Sequence, residues 1–424
     1  MPDLEEYRAK VESADGEIAS AFEKRMDAVR RIAEYKTGRG LPVCDPVREA
    51  ELLGAADSRV KNPEYAAYYR ELIKKEIELS KSFQHSLAGG LYVQTETGGY
   101  EVEVARGALN DLGKYLPRGI KTLVVSDDGV PAEYAQKVAA YCDNAEIALI
   151  PQGEKNKTPE TLFNLLCTLS AGGYDRASRV IAVGGGVTGD IAGLAASLFM
   201  RGIEFVNIPT TLLAMVDSSV GGKTGCNLNG VKNAFGTFYS PSRVIIDPDT
   251  LKTLPRRHIA NGLAEALKTA LVGDKELFAL FENGNPFEDI ETVIIRSLKY
   301  KISVVNADEK EHGLRRVLNF GHTIGHGIES ASGGELLHGE CVAPGMLPMC
   351  APELRARLLS VYKKLGLPES ADCAAEEVLR FSLCDKKAED GVITAVKCKT
   401  PGAFTFEKIT KEELYWLIKQ VVKR

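Results

Sequence analysis

The first 86 residues of this 424-residue chain carry apolar side chains at a helical period. Between Leu4 and Lys36 there is no proline and only one glycine, so the pattern predicts a single helix of about 50 Å. Two seven-residue series form its apolar seam, namely Leu4, Val11, Ile18 and Ile32, and Tyr7, Ala14, Ala21 and Ala28. Further helices are predicted from near Pro46 and from about Pro63 to Gln84. We therefore expect an all-α domain of three helices at residues 1–86.

From residue 100 onward the pattern changes to short apolar runs that alternate with helical segments. Residues 87–99, rich in Gly and Thr, are predicted to be a linker. Strands are predicted at about 100–104, 122–126, 146–150, 179–183 and 205–209, with helices at about 131–142 and 159–171. This alternation predicts an α/β domain with a mostly parallel sheet at 100–260, which would bind ligands at the carboxyl ends of its strands. Residues 261–424 are predicted to form a mostly α-helical domain.

Composition narrows the class of protein. Apolar residues make up 44% of the chain, charged residues 26%, and the net charge is −5 without long basic runs, so we expect no nucleic-acid partner. The sequence contains no run of about 18 apolar residues, and its first residues are charged, so neither a membrane span nor a signal peptide is predicted. Nine cysteines without a CxxC pair favour reduced thiols and a cytoplasmic location.

Two cations interrupt the apolar face of the first predicted helix. Arg25 falls on the first seven-residue series, and Lys36, eleven residues later, returns to nearly the same face. A buried cation is costly unless it meets an anion, so this pair favours a dicarboxylate ligand. The alternative is that Arg25 extends to solvent or pairs with a carboxylate on a neighbouring helix.

The three-helix layout resembles the all-helical chorismate mutase family over its full length. The resemblance implies a substrate site for chorismate formed by eight residues: Arg8, Arg25, Lys36, Asp45, Arg48, Glu49, Ser80 and Gln84. It implies rearrangement of chorismate to prephenate without a cofactor, with arginines on the carboxylates and with Lys36 and Gln84 on the ether oxygen. Arg8 lies about 25 Å from Arg25 along a straight helix, so it is expected to reach a partner's site in a homodimer. The alternative is a non-catalytic sensing or dimerisation module.

A glycine-rich segment follows the central predicted strand. RVIAVGGGVTGD (179–190) predicts a strand running into a glycine-rich turn and then a helix, a pattern typical of phosphate binding. Gly184, Gly186 and Gly189 satisfy G-x-G-x-x-G, but the acidic residue expected after the next strand is replaced by Pro209-Thr210-Thr211. A plain tight turn is therefore the alternative for this loop taken alone.

With DSSVGGKTG (217–225) and Lys232-Asn233, the segment resembles 3-dehydroquinate synthase, a sugar-phosphate cyclase family that uses NAD and a divalent metal. The resemblance implies that an acidic residue lies near the ribose and that the glycine backbone faces the pyrophosphate. It assigns these residues to NAD: Asp127, Glu154, Lys157, Gly185, Gly186, Val187, Asp190, Thr210, Thr211, Lys232 and Thr253.

Histidines are concentrated in the last third of the chain. Four of the six, His312, His322, His326 and His338, lie within 27 residues. His322 and His326 are one helical turn apart, which suits a metal site but also arises on solvated faces. The family resemblance instead implies that Glu265, His322 and His338 hold the metal, zinc or cobalt, and that His326 faces the substrate.

The resemblance also implies a strongly anionic substrate, 3-deoxy-D-arabino-heptulosonate 7-phosphate. It assigns these residues to the substrate site: Lys223, Lys268, Lys301, Arg315, Asn319, His326, Asn233, Asp217, one or both of Lys386 and Lys387, and Arg201 of the neighbouring subunit. GLRRVLN (313–319) favours the dehydroquinate branch over other cyclases. The alternative is another cyclase or a metal-dependent alcohol dehydrogenase on the same fold. Together the two resemblances predict a bifunctional enzyme of aromatic biosynthesis.

Overall fold

The computed structural model describes residues 4–39, 41, 43–96, 98–229, 231–384 and 392–423. The chain divides into two compact units, Met1–Gly99 and Tyr100–Arg424. No helix among the described residues is long and apolar enough to cross a bilayer.

The first unit is built from helices. Its elements are α1 (Leu4–Thr37), α2 (Pro46–Gly54), α3 (Ala56–Arg59), α4 (Ala66–Leu87) and strand β1 (Leu91–Thr95). The third predicted helix starts later than expected, because Pro63–Tyr65 forms a 3-10 turn capped by the Asn62 side chain. The short α3 was not predicted. Residues 87–99, predicted as a linker, include β1, whose Leu91, Tyr92 and Val93 are buried.

The core of the first unit is small. Ala56, Ile73 and Ile77 form its buried centre, and Val29 and Ala33 are the buried residues of α1. Neither residue belongs to the predicted seam of α1, which is exposed, with Leu4 and Val11 at 60% and Ile18 at 54%. Most of α1 thus presents an exposed apolar stripe and does not contribute to the core of this unit.

The second unit begins with a parallel sheet. Its strands are β2 (Gly98–Val104), β3 (Thr122–Asp127), β4 (Ala145–Ile150), β5 (Arg179–Gly184), β6 (Glu204–Pro209), and β9 (Arg243–Ile246), while β7 (Lys223–Leu228) and β8 (Val231–Phe238) form a separate antiparallel hairpin. The strand order is β2-β9-β6-β5-β3-β4, and every pair is parallel. The predicted parallel sheet is confirmed. The sequence of a fully buried strand such as β5 is a continuous apolar run because helices cover both faces of the sheet.

Helices α5 (Ala132–Tyr141), α6 (Pro159–Ala171) and α7 (Gly186–Leu198) connect these strands. The sequence predicted the helix after β5 to follow the glycine-rich turn, but α7 already begins at Gly186. A Cβ at Gly186 would lie 3.0 Å from Ser218 Oγ, and one at Gly189 would lie 3.1 Å from Asn207 Nδ2. The glycines thus let the first turn of α7 pack closely against neighbouring backbone and side chains.

The remaining residues are mostly helical, as expected. The helices are α8 (Arg256–Gly273), α9 (Lys275–Asn283), α10 (Ile290–Ala307), α11 (His322–Ala331), α12 (His338–Met346), α13 (Pro352–Leu365), α14 (Ala375–Cys384) and α15 (Lys411–Lys419). An antiparallel hairpin of β10 (Val392–Thr400) and β11 (Ala403–Thr410) was not predicted.

Candidate functional site

Three helices of the second unit bring a carboxylate and two imidazoles together. Glu265 lies on α8, while His322 and His338 are the first residues of α11 and α12. Glu265 Oε1 is 3.6 Å from His322 Nε2 and 3.4 Å from His338 Nε2. The ring nitrogens of His322, His326 and His338 also lie within 4.8 Å of one another. The structure thus brings together all three predicted metal ligands and the fourth residue, His326.

Glycines let these helices approach closely. A Cβ at Gly339 of α12 would lie 2.2 Å from the Asn261 carbonyl oxygen of α8, and one at Gly345 would lie 2.2 Å from the Gly321 carbonyl oxygen. Any side chain at either position would push α12 away from its neighbours. The backbone contact therefore fixes the distance between His338 and Glu265.

Hydrogen bonds define which nitrogen each histidine presents. His322 Nδ1 lies 3.0 Å from the Phe320 carbonyl oxygen, and His338 Nδ1 lies 3.3 Å from Glu329 Oε2. Both oxygens are acceptors, so each Nδ1 is the donor, and each Nε2 is the ring nitrogen that is turned toward Glu265. Burial also lowers the pKa of His322, which favours its neutral, ligating form.

Glu265 itself is a buried carboxylate with spare acceptor capacity. Neither oxygen accepts a hydrogen bond of normal geometry, although Oε2 lies 2.5 Å from the Lys268 ammonium. Burial raises the pKa of Glu265, but Lys268 and the two histidines outweigh it, so the pKa lies well below its usual range. An ionised, incompletely paired carboxylate beside two imidazole nitrogens is the donor set of a catalytic divalent metal.

Two buried lysines lie next to this cluster. Lys301 Nζ is 2.6 Å from Asp217 Oδ1, and Lys268 pairs with Glu265. Burial lowers the pKa of Lys301 to about 8, even though Asp217 opposes the shift. Burial raises the pKa of Asp217, yet the ammonium groups of Lys268 and Lys301 outweigh it and keep the pKa well below its usual range. Four charged side chains therefore lie together in this part of the protein, a concentration of charge that is typical of functional sites.

Two other predicted substrate residues, Lys223 and Asn319, contact an acidic side chain, and a third, Arg315, contacts backbone carbonyl groups. The Glu311 carboxylate accepts from Lys223 Nζ and, at 2.5 Å, from Asn319 Nδ2. Arg315 donates to the carbonyl oxygens of Gly221, at 3.0 Å, and Glu309. One ammonium group and one amide thus donate to a carboxylate of the protein, which is the kind of contact that an anionic substrate group requires.

The predicted nucleotide contacts gather at the carboxyl ends of β3, β5 and β6. Thr188 Oγ1 donates to Asp127 Oδ2 at 2.6 Å, so Asp127 lies against the first turn of α7. Gly185, Gly186 and Val187 form that turn. Thr210 N donates to the Gly184 carbonyl oxygen, and Thr211 Oγ1 accepts from Ala214 N.

The other predicted nucleotide contacts form hydrogen bonds and ion pairs with neighbouring side chains. Lys157 Nζ lies 2.5 Å from both Asp190 Oδ2 and Asn233 Oδ1. Glu154 Oε1 accepts from Asn227, Thr253 Oγ1 is 2.9 Å from the Tyr134 hydroxyl, and Lys232 Nζ is 2.7 Å from Glu329 Oε1. Asn233 and Lys232 come from β8, so the hairpin contributes to this side of the site.

The structure does not bring every predicted residue into these groups. Arg201 is exposed and makes no ion pair in the described part of the chain, so its role in a neighbouring subunit stays a prediction. Lys386 and Lys387 lie outside the described residues. Arg201, Asn233 and Glu311 have φ values of 68°, 51° and 63°, the strained left-handed region that often marks functional positions.

In the first unit, α1 and α4 bring part of the predicted mutase site together. Arg25 pairs with Glu76 at 3.1 Å and donates to the Ser80 hydroxyl. Gln84 is buried, donates to the Ser80 carbonyl oxygen, and has an Oε1 atom without a hydrogen-bond partner. Arg25 therefore has a carboxylate partner on a neighbouring helix, which is the alternative that the sequence left open.

The other predicted mutase residues have local partners. Glu49 pairs with Lys81 at 2.9 Å, and Lys36 donates to the Val43 carbonyl oxygen. The remaining three interact within their own helices or caps: Asp45 caps α2 by accepting from Arg48 N, Arg48 pairs with Glu51, and Arg8 pairs with Glu5. A role for these residues in substrate binding stays a prediction.

Sequence reasoning missed the acidic and basic partners of the predicted residues. These are Glu76, Lys81, Glu311 and Glu329. A signal existed for two of them. Glu76 is four residues before Ser80 and Glu329 is seven residues after His322, so both lie on the functional face of their helix.

Family models match most of the chain. Residues 147–261 match 3-dehydroquinate synthase N-terminal, residues 262–388 match 3-dehydroquinate synthase C-terminal, and residues 7–85 match chorismate mutase type II. Among curated relatives, a 3-dehydroquinate synthase of Methylacidiphilum infernorum is 40% identical over 350 residues, covering 78% of this chain and 97% of its own. One of Lactococcus lactis subsp. cremoris is 38% identical, covering 76% and 97%.

Two solved structures with the same fold are sugar-phosphate cyclases. A 2-epi-5-epi-valiolone synthase of Streptomyces hygroscopicus with NAD+ and Zn2+ bound is 35% identical with a TM-score of 0.70, covering 76% of this chain and 96% of its own. A 2-deoxy-scyllo-inosose synthase complexed with carbaglucose-6-phosphate, NAD+ and Co2+ is 26% identical with a TM-score of 0.71, covering 78% and 100%. Together with the site geometry, these matches establish that the chain belongs to the 3-dehydroquinate synthase family and carries a type II chorismate mutase domain at its amino end.

Proposed function

We propose that the second unit converts 3-deoxy-D-arabino-heptulosonate 7-phosphate into 3-dehydroquinate and phosphate, and that the first unit converts chorismate into prephenate. The observation that carries the synthase activity is the buried Glu265 carboxylate, which faces two histidine Nε2 atoms beside paired, buried lysines. The 40% identity to a 3-dehydroquinate synthase supports this substrate over those of other cyclases.

The synthase would use NAD and one divalent metal, zinc or cobalt, as two similar structures do. When bound, NAD supplies a reversible hydride acceptor, and the metal polarises the hydroxyl group that is oxidised. Glu265, His322 and His338 would hold the metal. The amide groups at the start of α7 would face the pyrophosphate, and Asp127 would accept from a ribose hydroxyl group.

The remaining charges would bind and orient the substrate. Lys223, Arg315 and Asn319 would bind its anionic groups, because two of them already contact the Glu311 carboxylate. Lys301 and Lys268, held by Asp217 and Glu265, would keep the site positive without moving. Phosphate would leave the oxidised substrate by β-elimination, and ring opening and an internal aldol step would close the carbocycle after reduction.

The mutase activity needs no nucleophile or cofactor, only a site that holds chorismate in its reactive conformation. Arg25 and Ser80 already form a polar pair between α1 and α4, and the buried Gln84 has an unpaired carbonyl oxygen. Arg25 and Arg48 would bind carboxylates, while Lys36 and Gln84 would donate to the ether oxygen as charge develops there.

We further propose a homodimer formed through α1. Leu4, Val11 and Ile18 are more than half exposed along one stripe of a 34-residue helix, a pattern typical of a helix that packs on another chain. In such a dimer, Arg8 of one chain would complete the mutase site of the other.

A cytoplasmic location is proposed from the cysteines. Six described cysteines form no disulfide bond, and five of them are buried: Cys142, Cys226, Cys341, Cys350 and Cys398, with Cys167 exposed. Thiols outside disulfide bonds in a chain of this length fit a reducing compartment.

The test is a two-substrate assay on the purified full chain with NAD and Zn2+. Phosphate release from the heptulosonate and loss of chorismate are both expected. Lys36→Ala and Gln84→Ala should each abolish chorismate turnover without changing phosphate release, with Lys61→Ala, which is exposed, as the matched control. Phosphate release without chorismate loss would refute the mutase activity, and the reverse result would refute the synthase assignment.

A further inference from the structure

The two metal-facing histidines are supported in different ways. His322 Nδ1 donates to the Phe320 carbonyl oxygen, a backbone acceptor that every sequence supplies. His338 Nδ1 has instead a side-chain acceptor, Glu329 Oε2, at 3.3 Å. The orientation of His338 therefore depends on the identity of residue 329.

Glu329 is itself held at both carboxylate oxygens. Its side chain is 11% exposed, Oε2 faces His338, and Oε1 lies 2.7 Å from Lys232 Nζ. A buried carboxylate is costly unless both oxygens have partners, and here each has one. The carboxylate therefore has a defined orientation.

The helix places this carboxylate with the histidines. His322, His326 and Glu329 are spaced i, i+4 and i+7 on α11, so the three side chains share one face of the helix. Lys232 comes from the β8 strand of the hairpin. A continuous polar chain thus runs from the hairpin through Glu329 and His338 to Glu265.

We propose that Glu329 is a positioning residue for the metal centre, fixing the tautomer and ring orientation of His338 so that Nε2 faces the ion, and that Lys232 holds Glu329 in place. A carboxylate that accepts from the second nitrogen of a ligating histidine raises the basicity of the histidine and typically changes metal affinity by about 10–100-fold. This inference rests on the metal-dependent activity proposed above.

The experiment measures Zn2+ affinity of the full chain by competition with a chromophoric chelator, together with the visible absorption spectrum of the Co2+ form. Glu329→Ala should weaken Zn2+ binding by about 10–100-fold and alter the Co2+ spectrum. Glu329→Gln retains an acceptor for His338, so it should lose less affinity than Glu329→Ala. Lys232→Met should cause a smaller loss in the same direction.

Glu335→Gln is the matched control, since its exposed side chain lies three residues before His338. Zn2+ affinity and a Co2+ spectrum for Glu329→Ala that equal those of this control would overturn the inference. An unchanged affinity in Lys232→Met would overturn the role of Lys232. If the unmodified chain binds no Zn2+, the proposed metal-dependent activity is refuted. That outcome is distinct from one in which the unmodified chain binds Zn2+ and Glu329→Ala binds it equally well, which refutes only the role of Glu329. Glu329→Gln, which is nearly isosteric, keeps the test valid if the alanine variant does not fold.

Discussion

The two units differ in where their charged and apolar side chains lie. In the second unit, the buried Lys268 and Glu265 pair with each other within α8, and the buried Lys301 pairs with Asp217. In the first unit, Arg8 and Arg48 are exposed and pair only within their own helices, while the apolar seam of α1 faces solvent. This difference supports the proposal that a second copy of the chain completes the mutase site, whereas the cluster of Glu265, His322 and His338 lies within one chain.

The largest effect should come from Glu265→Ala. Loss of this ligand removes metal polarisation, worth about 4 kcal/mol of transition-state stabilisation, so phosphate release should fall about a thousandfold. Chorismate turnover in the same chain should be unchanged, because the two activities use different units. Glu353→Ala, exposed on α13, is the control. An equal fall in both activities would mean that the substitution unfolds the protein, and no fall in either would remove Glu265 from the site.

Lys268→Met tests whether the buried charges depend on each other. Without the ammonium, Glu265 and Asp217 lose a cation while remaining buried, which should cost about 3–5 kcal/mol of the free energy of unfolding of the second unit. Urea unfolding in a chelator should detect this loss, and added Zn2+ should restore part of it by supplying another cation. A variant as stable as the exposed Lys275→Met would contradict the interpretation that these charges stabilise one another.

Ile18→Asp tests the exposed seam. An unpaired carboxylate in an apolar interface should cost about 3 kcal/mol or more, a factor above about 100 in the association constant. Sedimentation should then detect monomers, and chorismate turnover should fall because Arg8 no longer reaches a partner site. Ser13→Asp adds the same charge away from the seam and should remain dimeric. If Ile18→Asp stays dimeric with full mutase activity, the seam is not the interface.

The smallest effect is a pH dependence that only the synthase should have. Burial lowers the pKa of Lys301 to about 8, so its ammonium form dominates below pH 8 and is lost above it. If the anionic substrate requires this charge, kcat/KM for phosphate release should be constant below about pH 7, fall about twofold at pH 8 and fall about tenfold by pH 9. Chorismate turnover, measured in the same samples, is the control for unfolding of the protein at high pH. A constant profile up to pH 9.5 would exclude Lys301 as a required cation.

Much of the molecule is determined by the sequence alone. The seven-residue series of α1 and the apolar runs of β3 and β5 specify their elements, because helical and extended periodicity depend only on neighbouring residues. Residue types at matching positions also identified the metal cluster and both families, since the chemistry requires particular donor atoms. These features needed no knowledge of distant contacts.

The tertiary structure decided how those residues are paired. Glu329, Glu311 and Glu76 form ion pairs with predicted site residues that are 9 to 97 positions away in the chain. Helical spacing places Glu76 and Glu329 on the functional face of their helices, but it does not specify these distant partners. The packing of α7 against Ser218 and the approach of α12 to α8 depend on the absence of a side chain at Gly186 and Gly339. Periodicity specifies which face of an element is apolar, but only packing determines which carboxylate lies next to which cation.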